Sequence, residues 1–191
     1  MSFEVELPDG FVVRRLMSDE DFQEYQRLVE MIPGGGTLME IGVYLGGSLA
    51  SLAPVILRKG LKVIAVDVFD KADYNEPHVM EDKKNMRARF DAVMAHVGIK
   101  PIVIDRSFQL AYQSIKDAEL VGHVDLAFID ANHEAKWVDE DIILSLSVVR
   151  RGGNIAGHDY DEIHPGVVET VNNYFGGCVK KGGNCVWSYR T

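Results

Sequence analysis

The chain has 191 residues, 47% of them hydrophobic and 26% charged, so residues 1–191 are expected to form one globular domain with a sizeable core. Its formal net charge of -9 argues against a nucleic-acid partner, because proteins that track phosphate backbones usually carry a basic face. The N-terminus contains no continuous apolar core, and no apolar run approaches the ~20 residues of a membrane span. A cytoplasmic protein without a membrane partner is therefore expected.

Short apolar, β-branched runs alternate along the chain with segments of helical period. The runs predict five strands, at 37–43, 62–69, 101–104, 124–129 and 154–156. A leading helix is predicted at about 19–31, with Ser18 as its cap. Strands that are apolar throughout and separated by helices form parallel sheets covered on both faces. The sequence therefore predicts an α/β fold with a Rossmann-like, doubly wound, mostly parallel sheet.

Two apolar stripes between these strands predict helices that face the core. Their members are spaced by three and four residues: Met86, Phe90, Val93, Met94 and Val97 in one, and Trp137, Val138, Ile142, Leu146 and Val149 in the other. Gly152-Gly153 is expected to end the second helix as a C-cap. The tail predicts a hairpin of two short strands around a turn at 181–184. Its two cysteines, Cys178 and Cys185, are too few for a disulfide framework.

The first predicted strand runs into a glycine-rich turn that contains Glu40, Gly42, Tyr44, Gly46 and Ser48, and a helix is predicted at 49–57. A dinucleotide site needs glycine where Tyr44 stands, and the Gly-Lys-Ser/Thr of a phosphate-binding loop is absent. S-adenosylmethionine (SAM) has no phosphate, so Tyr44 is no obstacle to it, and Glu40 would suit its ammonium group. A tight turn without a ligand remains the alternative.

The second predicted strand ends at Asp67, 21 residues after Gly46. An acid that binds ribose hydroxyls is expected at about this distance from a glycine turn. The alternative is that Asp67 caps the loop at the end of its strand.

Four motifs, in order, resemble the class I SAM-dependent methyltransferases. Residues 40–48 are similar to their motif I, and Val66-Asp67 is similar to motif II. Residues 128–133, Phe-Ile-Asp-Ala-Asn-His, resemble an Ile-Asp-Gly-x-His signature, and residues 151–159 with 165–167 resemble a Gly-Gly-x-x-x-x-His-Asp…Pro-Gly-Val segment. The resemblance runs from Thr37 to about Tyr174 and is to small enzymes related to sugar and macrolide O-methyltransferases. It implies strand order 3-2-1-4-5 with a C-terminal hairpin.

Two positions depart from this pattern. Ala131 replaces the usual glycine of the signature, and Ala135 replaces a tyrosine two residues after the histidine. Asp141 matches an acid that follows the histidine by eight residues. Because Ala135 removes an aromatic side chain that could line the site, the identity of the methyl acceptor does not follow from the resemblance.

Two carboxylates follow neighbouring strands of the expected sheet. Asp130 comes directly after the fourth predicted strand and Asp159 follows the fifth, and adjacent strands lie ~4.8 Å apart. The pair can therefore converge beside the cofactor, where Asp130 also counts as a cofactor contact. The resemblance implies that Asp130 and Asp159 bind a divalent cation, Mg²⁺ or Mn²⁺, which prefers oxygen ligands. The alternative is that Asp130 caps a helix and Asp159 bonds its own loop.

His133 and His158 flank this pair of acids. Histidine titrates near neutral pH and suits removal of a proton from a hydroxyl group. Strand alternation is expected to turn the His158 ring away from the Asp159 carboxylate. We therefore expect His133 to be the base, with Asp130 and His158 as further catalytic groups. The other histidines, His164 among them, lack a comparable context.

After the third predicted strand, Ser107 and Phe108 lie where the relatives contact the adenine ring. Phe108 could stack on the ring and Ser107 could bond its edge, although a core role is the commoner one for phenylalanine.

Together these features predict metal-assisted O-methylation of a small hydroxylated molecule, a sugar or a phenol. A metal-independent methyltransferase that uses His133 or His158 alone is the first alternative. A non-catalytic SAM-binding module that acts through protein contacts is the second, and a homo-oligomer is possible in either case. A nicotinamide-dependent oxidoreductase is disfavoured by Tyr44.

Overall fold

The computed structural model of the chain describes residues 3–69, 85–105, 108–117 and 119–191, with backbone alone for residues 108–110. The strands are β1 (Glu4–Glu6), β2 (Val12–Arg14), β3 (Thr37–Ile41), β4 (Lys62–Asp67), β5 (Ile102–Asp105), β6 (Val124–Ile129), β7 (Val149–Gly157), β8 (Lys180–Gly182) and β9 (Val186–Arg190). The helices are α1 (Asp19–Glu30), α2 (Gly47–Ser51), α3 (Ala53–Lys59), α4 (Met86–Val97), α5 (Phe108–Asp117), α6 (Ala135–Val148) and α7 (Pro165–Phe175).

Strands β3 to β9 form a seven-stranded sheet in the order β5-β4-β3-β6-β7-β9-β8. The first five strands of this order pair in parallel. The last two form an antiparallel hairpin that pairs with β7 through β9. Because β3, β4, β5, β6 and β7 are the five strands predicted from the sequence, the order 3-2-1-4-5 with a C-terminal hairpin is confirmed.

The central strands are buried on both faces because successive side chains enter different cores. Leu38 and Val63 belong to the cluster packed under α1 to α4. Their neighbours Met39 and Ile64 belong to the cluster packed under α5 to α7. Because helices cover both faces of the sheet, alternate side chains of a strand are apolar on both sides. The strand is therefore a nearly continuous hydrophobic run in the sequence.

The junction between α6 and β7 differs from the sequence prediction. The helix ends at Val148, and Gly152-Gly153 lies inside β7 instead of capping the helix. The register of β7 against β6 shifts after Val149, and the extra residues accommodate both glycines within the strand. The predicted core stripe is also partly wrong, since Trp137 and Leu146 are 39% and 42% exposed. The buried residues of α6 are Val138, Ile142, Leu144, Ser145 and Val148.

The N-terminal hairpin of β1 and β2 was not predicted from the sequence. Its signal is Pro8-Asp9-Gly10 between two alternating runs, a combination typical of a turn between strands. The hairpin packs on the glycine-rich turn, since a Cβ added to Gly47 would lie 2.3 Å from the Arg14 carbonyl oxygen. The helix predicted at 49–57 is divided between α2 and α3, and Pro54 lies in the first turn of α3.

The carboxyl ends of four parallel strands meet at one edge of the sheet. In register, Ile41 of β3 faces Val66 of β4 and Ile129 of β6, and Ile129 faces Gly157 of β7. In sheets of this kind, ligands bind beyond this edge, near the point where strand order reverses. Within the described ranges, no helix is both long and apolar enough to cross a membrane.

Candidate functional site

The glycine-rich turn after β3 lies directly against the loop after β6. Gly42 has a φ of +86°, and a Cβ added there would lie 2.1 Å from the Asp130 carbonyl oxygen. The Asp130 N–H in turn donates to the Ile41 carbonyl oxygen at 2.8 Å. Glycine is therefore required at position 42 for the two loops to touch, and the contact brings Glu40 and Asp130 into one site.

Asp67 holds the glycine-rich turn in place. Its buried carboxylate accepts hydrogen bonds from the backbone N–H of Tyr44 at 2.8 Å and of Phe69 at 2.7 Å. Tyr44 has a φ of +47°, which is costly for a residue with a Cβ, and its bond to Asp67 stabilises that conformation. Asp67 thus acts as a loop cap in this structure, and its binding to a ribose stays a prediction.

Glu40 is 1% exposed, and the protein's own hydroxyl groups donate to both of its oxygens. The Ser48 hydroxyl donates to Oε1, and the Tyr25 hydroxyl donates to Oε2 at 2.7 Å. Burial raises the pKa of Glu40 to about 8, although the two hydroxyl bonds oppose the shift. Tyr25, which no sequence pattern indicated, reaches Glu40 from α1 and stacks on Phe128 with 3.6 Å between ring centroids.

Asp130 and Asp159 converge on the imidazole of His158, as their positions after adjacent strands predict. The Nδ1 of His158 lies 3.0 Å from Oδ1 of Asp159 and 3.6 Å from Oδ1 of Asp130. On the other side of Asp159, Oδ2 lies 2.9 Å from Nε2 of His133. Two carboxylates and two imidazoles therefore share one small volume at the carboxyl edge of the sheet.

The pKa values of the two carboxylates shift in opposite directions because their surroundings differ. Burial raises the pKa of Asp130 to about 7, and the nearby Asp159 charge adds to the increase. Burial also opposes ionisation of Asp159, but hydrogen bonds from His133 and His158 outweigh it and lower the pKa of Asp159. Burial alone would lower the pKa of His158, whereas Asp159, Asp130 and Asp21 raise it to about 9.

The orientation of His158 corrects the sequence prediction. Alternation along β7 was expected to turn its ring away from the Asp159 carboxylate, yet the two side chains are in contact. β7 ends at Gly157, and Asp159 has a φ of +60°, outside the extended region. The rule of alternating sides applies only to extended backbone, so it does not hold across this turn.

His164 also belongs to the site, although no local pattern distinguished it in the sequence. Its Nδ1 lies 3.0 Å from Oδ1 of Asp161 and 3.7 Å from Oδ1 of Asp159, and its ring centroid is 4.3 Å from that of His133. The following Gly166 allows this proximity, since a Cβ there would lie 2.5 Å from the His133 carbonyl oxygen. The Pro-Gly-Val motif thus packs the start of α7 on the His133 loop.

Asp21 and Cys185 complete the surroundings of His158 from the opposite side. The Nε2 of His158 lies 3.5 Å from Oδ2 of Asp21 and 3.2 Å from Sγ of Cys185. Asp21 comes from the first turn of α1, and Cys185 lies between β8 and β9. Both cysteines of the chain are free thiols.

The donor set of the site fits a metal ion. One donor atom each from Asp130, His158 and Asp159 lies within 4.8 Å of the others, a spacing that a single cation can bridge. These residues, together with His133, line a cleft whose apolar walls include Trp187. A second, larger cavity beside Asp125 and Arg150 lies at the opposite edge of the sheet, away from these groups.

The two predicted adenine contacts follow β5 in the chain. Ser107 lies outside the described residues, and Phe108 is described by its backbone alone, as the first residue of α5. Their contact with a cofactor stays a prediction.

Comparison of the sequence with protein families identifies the chain. The profile of a family described as a methyltransferase domain matches residues 39–160, which span the glycine-rich turn and both carboxylates. The chain belongs to the class I SAM-dependent methyltransferases. This methyltransferase uses SAM as its methyl donor, as the sequence predicts. Among curated proteins, none matches it significantly.

Solved structures share the fold of this methyltransferase at low sequence identity. CalS11, a TDP-rhamnose 3'-O-methyltransferase of calicheamicin biosynthesis, has a TM-score of 0.63 and 14% identity, over 88% of this chain and 76% of that chain. The O-methyltransferase NovP has a TM-score of 0.57 and 16% identity, over 88% of this chain and 78% of that chain. An rRNA methylase from Streptococcus thermophilus has a TM-score of 0.58 and 16% identity, over 90% of this chain and 95% of that chain. At such identities the likeness shows the fold alone.

Proposed function

We propose that this methyltransferase catalyses metal-assisted O-methylation of a small hydroxylated molecule, a sugar or a phenol. The observation that carries the proposal is the convergence of Asp130, Asp159 and two histidines beside the glycine-rich turn. Two fold neighbours, CalS11 and NovP, are O-methyltransferases, which is consistent with it. The net charge of -9 favours a small acceptor over the RNA on which another neighbour acts.

Each group at the site has a chemical task in this proposal. Asp130 and Asp159 would hold a divalent cation, which when bound lowers the pKa of the acceptor hydroxyl. When bound, SAM would supply the methyl group, whose bond to sulfur breaks as the bond to the acceptor oxygen forms, so that the demethylated product leaves. Glu40 would bind the ammonium of SAM. His133 removes the hydroxyl proton as the oxygen attacks. Much of the rate would come from alignment of the acceptor oxygen with the methyl carbon and the sulfur of SAM.

His133 is a better candidate for the base than His158. Its side chain is 30% exposed and reaches the cleft, whereas that of His158 is 12% exposed. Without a bound metal ion, the raised pKa of His158, about 9, keeps its imidazole protonated at neutral pH, and a protonated imidazole cannot accept a proton.

The raised pKa of His158 favours a second candidate, a metal-independent methyltransferase. A protonated His158 places a positive charge between the carboxylates of Asp130 and Asp159, where a cation would otherwise be needed. His133 would then act as the base without help from a metal ion.

One experiment separates the two candidates. Purified protein is incubated with SAM labelled in its methyl group and a library of sugars and phenols, in EDTA and with added divalent ions. Transfer to a hydroxyl group that requires the ions supports the first candidate. Equal transfer in EDTA supports the second, and transfer to nitrogen or carbon alone would refute O-methylation.

Asp67→Ala should weaken the binding of SAM and of its demethylated product by ~1–3 kcal/mol, because the predicted hydrogen bonds to the ribose and the bond that supports the glycine-rich turn at Tyr44 are lost. Calorimetry on both ligands measures the change. Asp117→Ala, which removes an exposed carboxylate bonded to Gln113, is the matched control. Unchanged affinity in the Asp67 variant would remove this residue from the cofactor site.

Binding of SAM at neutral pH should release a proton from Glu40. With a pKa of about 8, this carboxyl is largely protonated in the free protein at pH 7. A bound ammonium favours the carboxylate, so the pKa falls and the proton leaves. Calorimetry in buffers of different ionisation enthalpy detects the release, which should disappear well above pH 8 and in Glu40→Gln. A release that persists in Glu40→Gln would show that Glu40 is not its source.

A further inference from the structure

Both ring nitrogens of His158 face acidic or polar groups, on opposite sides of the ring. Nδ1 points between Asp159 and Asp130, at 3.0 and 3.6 Å. Nε2 points to Oδ2 of Asp21 at 3.5 Å and to Sγ of Cys185 at 3.2 Å. The imidazole therefore links the carboxylate pair of the cleft to a buried carboxylate from another part of the chain.

Asp21 is held rigidly enough to orient the ring. It is 3% exposed, and its Oδ1 accepts hydrogen bonds from the backbone N–H of Asn184 at 2.7 Å and of Cys185 at 2.9 Å. The Ser18 hydroxyl bonds to Oδ2 at 2.6 Å. These contacts fasten α1 to the hairpin of β8 and β9, and both elements lie outside the segment 39–160 that matches the family.

We propose that His158 is a third, nitrogen ligand of the metal site and that Asp21 is the positioning residue that orients it. The metal would replace the proton on Nδ1, and Nε2–H would face the Asp21 carboxylate at 3.5 Å and Sγ of Cys185 at 3.2 Å. A histidine that ligates a metal usually donates its other ring N–H to a carboxylate or carbonyl, which fixes both tautomer and orientation. The inference rests on the metal site of the proposed function.

The nitrogen ligand makes the site selective for a class of metal ion. Magnesium prefers oxygen ligands in a regular octahedron, and imidazole suits iron, cobalt, nickel and zinc better. The site therefore takes a first-row transition ion in preference to Mg²⁺. A transition ion also binds more tightly than Mg²⁺ to many all-oxygen sites, so the decisive quantity is how the preference changes when the nitrogen is removed.

Metal titrations of the full chain without SAM test the inference. Co²⁺ binding is followed by its visible absorption, and Mg²⁺ binding by competition with Co²⁺. In His158→Asp, which exchanges nitrogen for oxygen, the ratio of Co²⁺ to Mg²⁺ affinity should fall at least ~10-fold, and the Co²⁺ spectrum should change. In Asp21→Asn, Co²⁺ affinity should fall ~10- to 100-fold, the usual effect of losing such a supporting carboxylate.

Two controls separate positioning from folding. Glu20→Gln makes the same change of charge at an exposed position of α1 and should leave Co²⁺ binding unaltered. Asp21→Glu should restore part of the affinity lost in Asp21→Asn, and circular dichroism shows whether each variant is folded. If Asp21→Asn does not fold, the ligand role of His158 is tested by His158→Asp alone. The positioning role of Asp21 is then tested by Asp21→Glu, whose Co²⁺ spectrum should differ from that of the wild type.

The outcomes distinguish this inference from the metal site itself. A wild-type protein that binds no divalent ion overturns both. Co²⁺ binding with the same spectrum and the same Co²⁺ to Mg²⁺ ratio in His158→Asp overturns the nitrogen ligand and leaves Asp130 and Asp159 as the metal site. A folded Asp21→Asn variant with unchanged Co²⁺ affinity and spectrum overturns the role of Asp21. Methyl transfer, assayed separately, tests the proposed reaction.

Discussion

Asp159→Asn should abolish the stimulation of methyl transfer by divalent ions. The Asp159 carboxylate lies between His133 and His158, whose hydrogen bonds lower its pKa and keep it ionised. An amide at this position is neutral and a poorer ligand for a divalent cation than a carboxylate. A metal ion that polarises an oxygen contributes several kcal/mol, so we expect turnover to fall ~10²- to 10³-fold, to the rate of the wild type in EDTA. Initial rates measured against metal concentration give the comparison.

A neighbouring acid provides the control for this result. Glu162 lies in the same loop and is exposed, and Glu162→Gln should retain the stimulation by metal. A wild-type enzyme that is fully active in EDTA would contradict the prediction and favour the metal-independent candidate, in which His158 carries the positive charge.

The fold could be predicted from the sequence because its signals are local. The runs that form β3, β4 and β6 are buried on both faces, which makes them mostly apolar and easy to recognise. The order of the strands is not a local property, and it came from the resemblance to a known family. The predicted boundary between α6 and β7, at Gly152-Gly153, was wrong because a shift of strand register leaves no periodic signal in the sequence.

The candidate site was predicted only where a strand end marks it. Asp130, His133 and Asp159 lie within four residues of a strand end, and the topology brings their side chains together. Asp21 and Cys185 meet His158 from distant parts of the chain, and nothing in their own neighbourhoods indicates this contact. Asp21 in particular lies in the first turn of a helix, where acidic residues are common for reasons of helix stability alone.

His133→Ala should lower kcat by ~10²- to 10⁴-fold, the usual contribution of a general base, while SAM affinity stays nearly unchanged. The side chain lies in the loop between β6 and α6, beside the carboxylates and partly open to the cleft. Protonation removes the basic lone pair, so the wild-type rate should also fall as pH drops through the range in which a histidine base is protonated. Steady-state kinetics and calorimetry measure both quantities.

A second variant separates proton removal from support of Asp159, because His133 also contacts that carboxylate at 2.9 Å. The amide of His133→Gln can still donate to Asp159 but cannot accept the acceptor's proton at neutral pH. If His133 is the base, the glutamine variant should be about as slow as the alanine variant. If His133 only orients Asp159, glutamine should restore most of the rate. His123→Ala, which removes an exposed histidine before β6, should leave kcat and the pH profile unchanged.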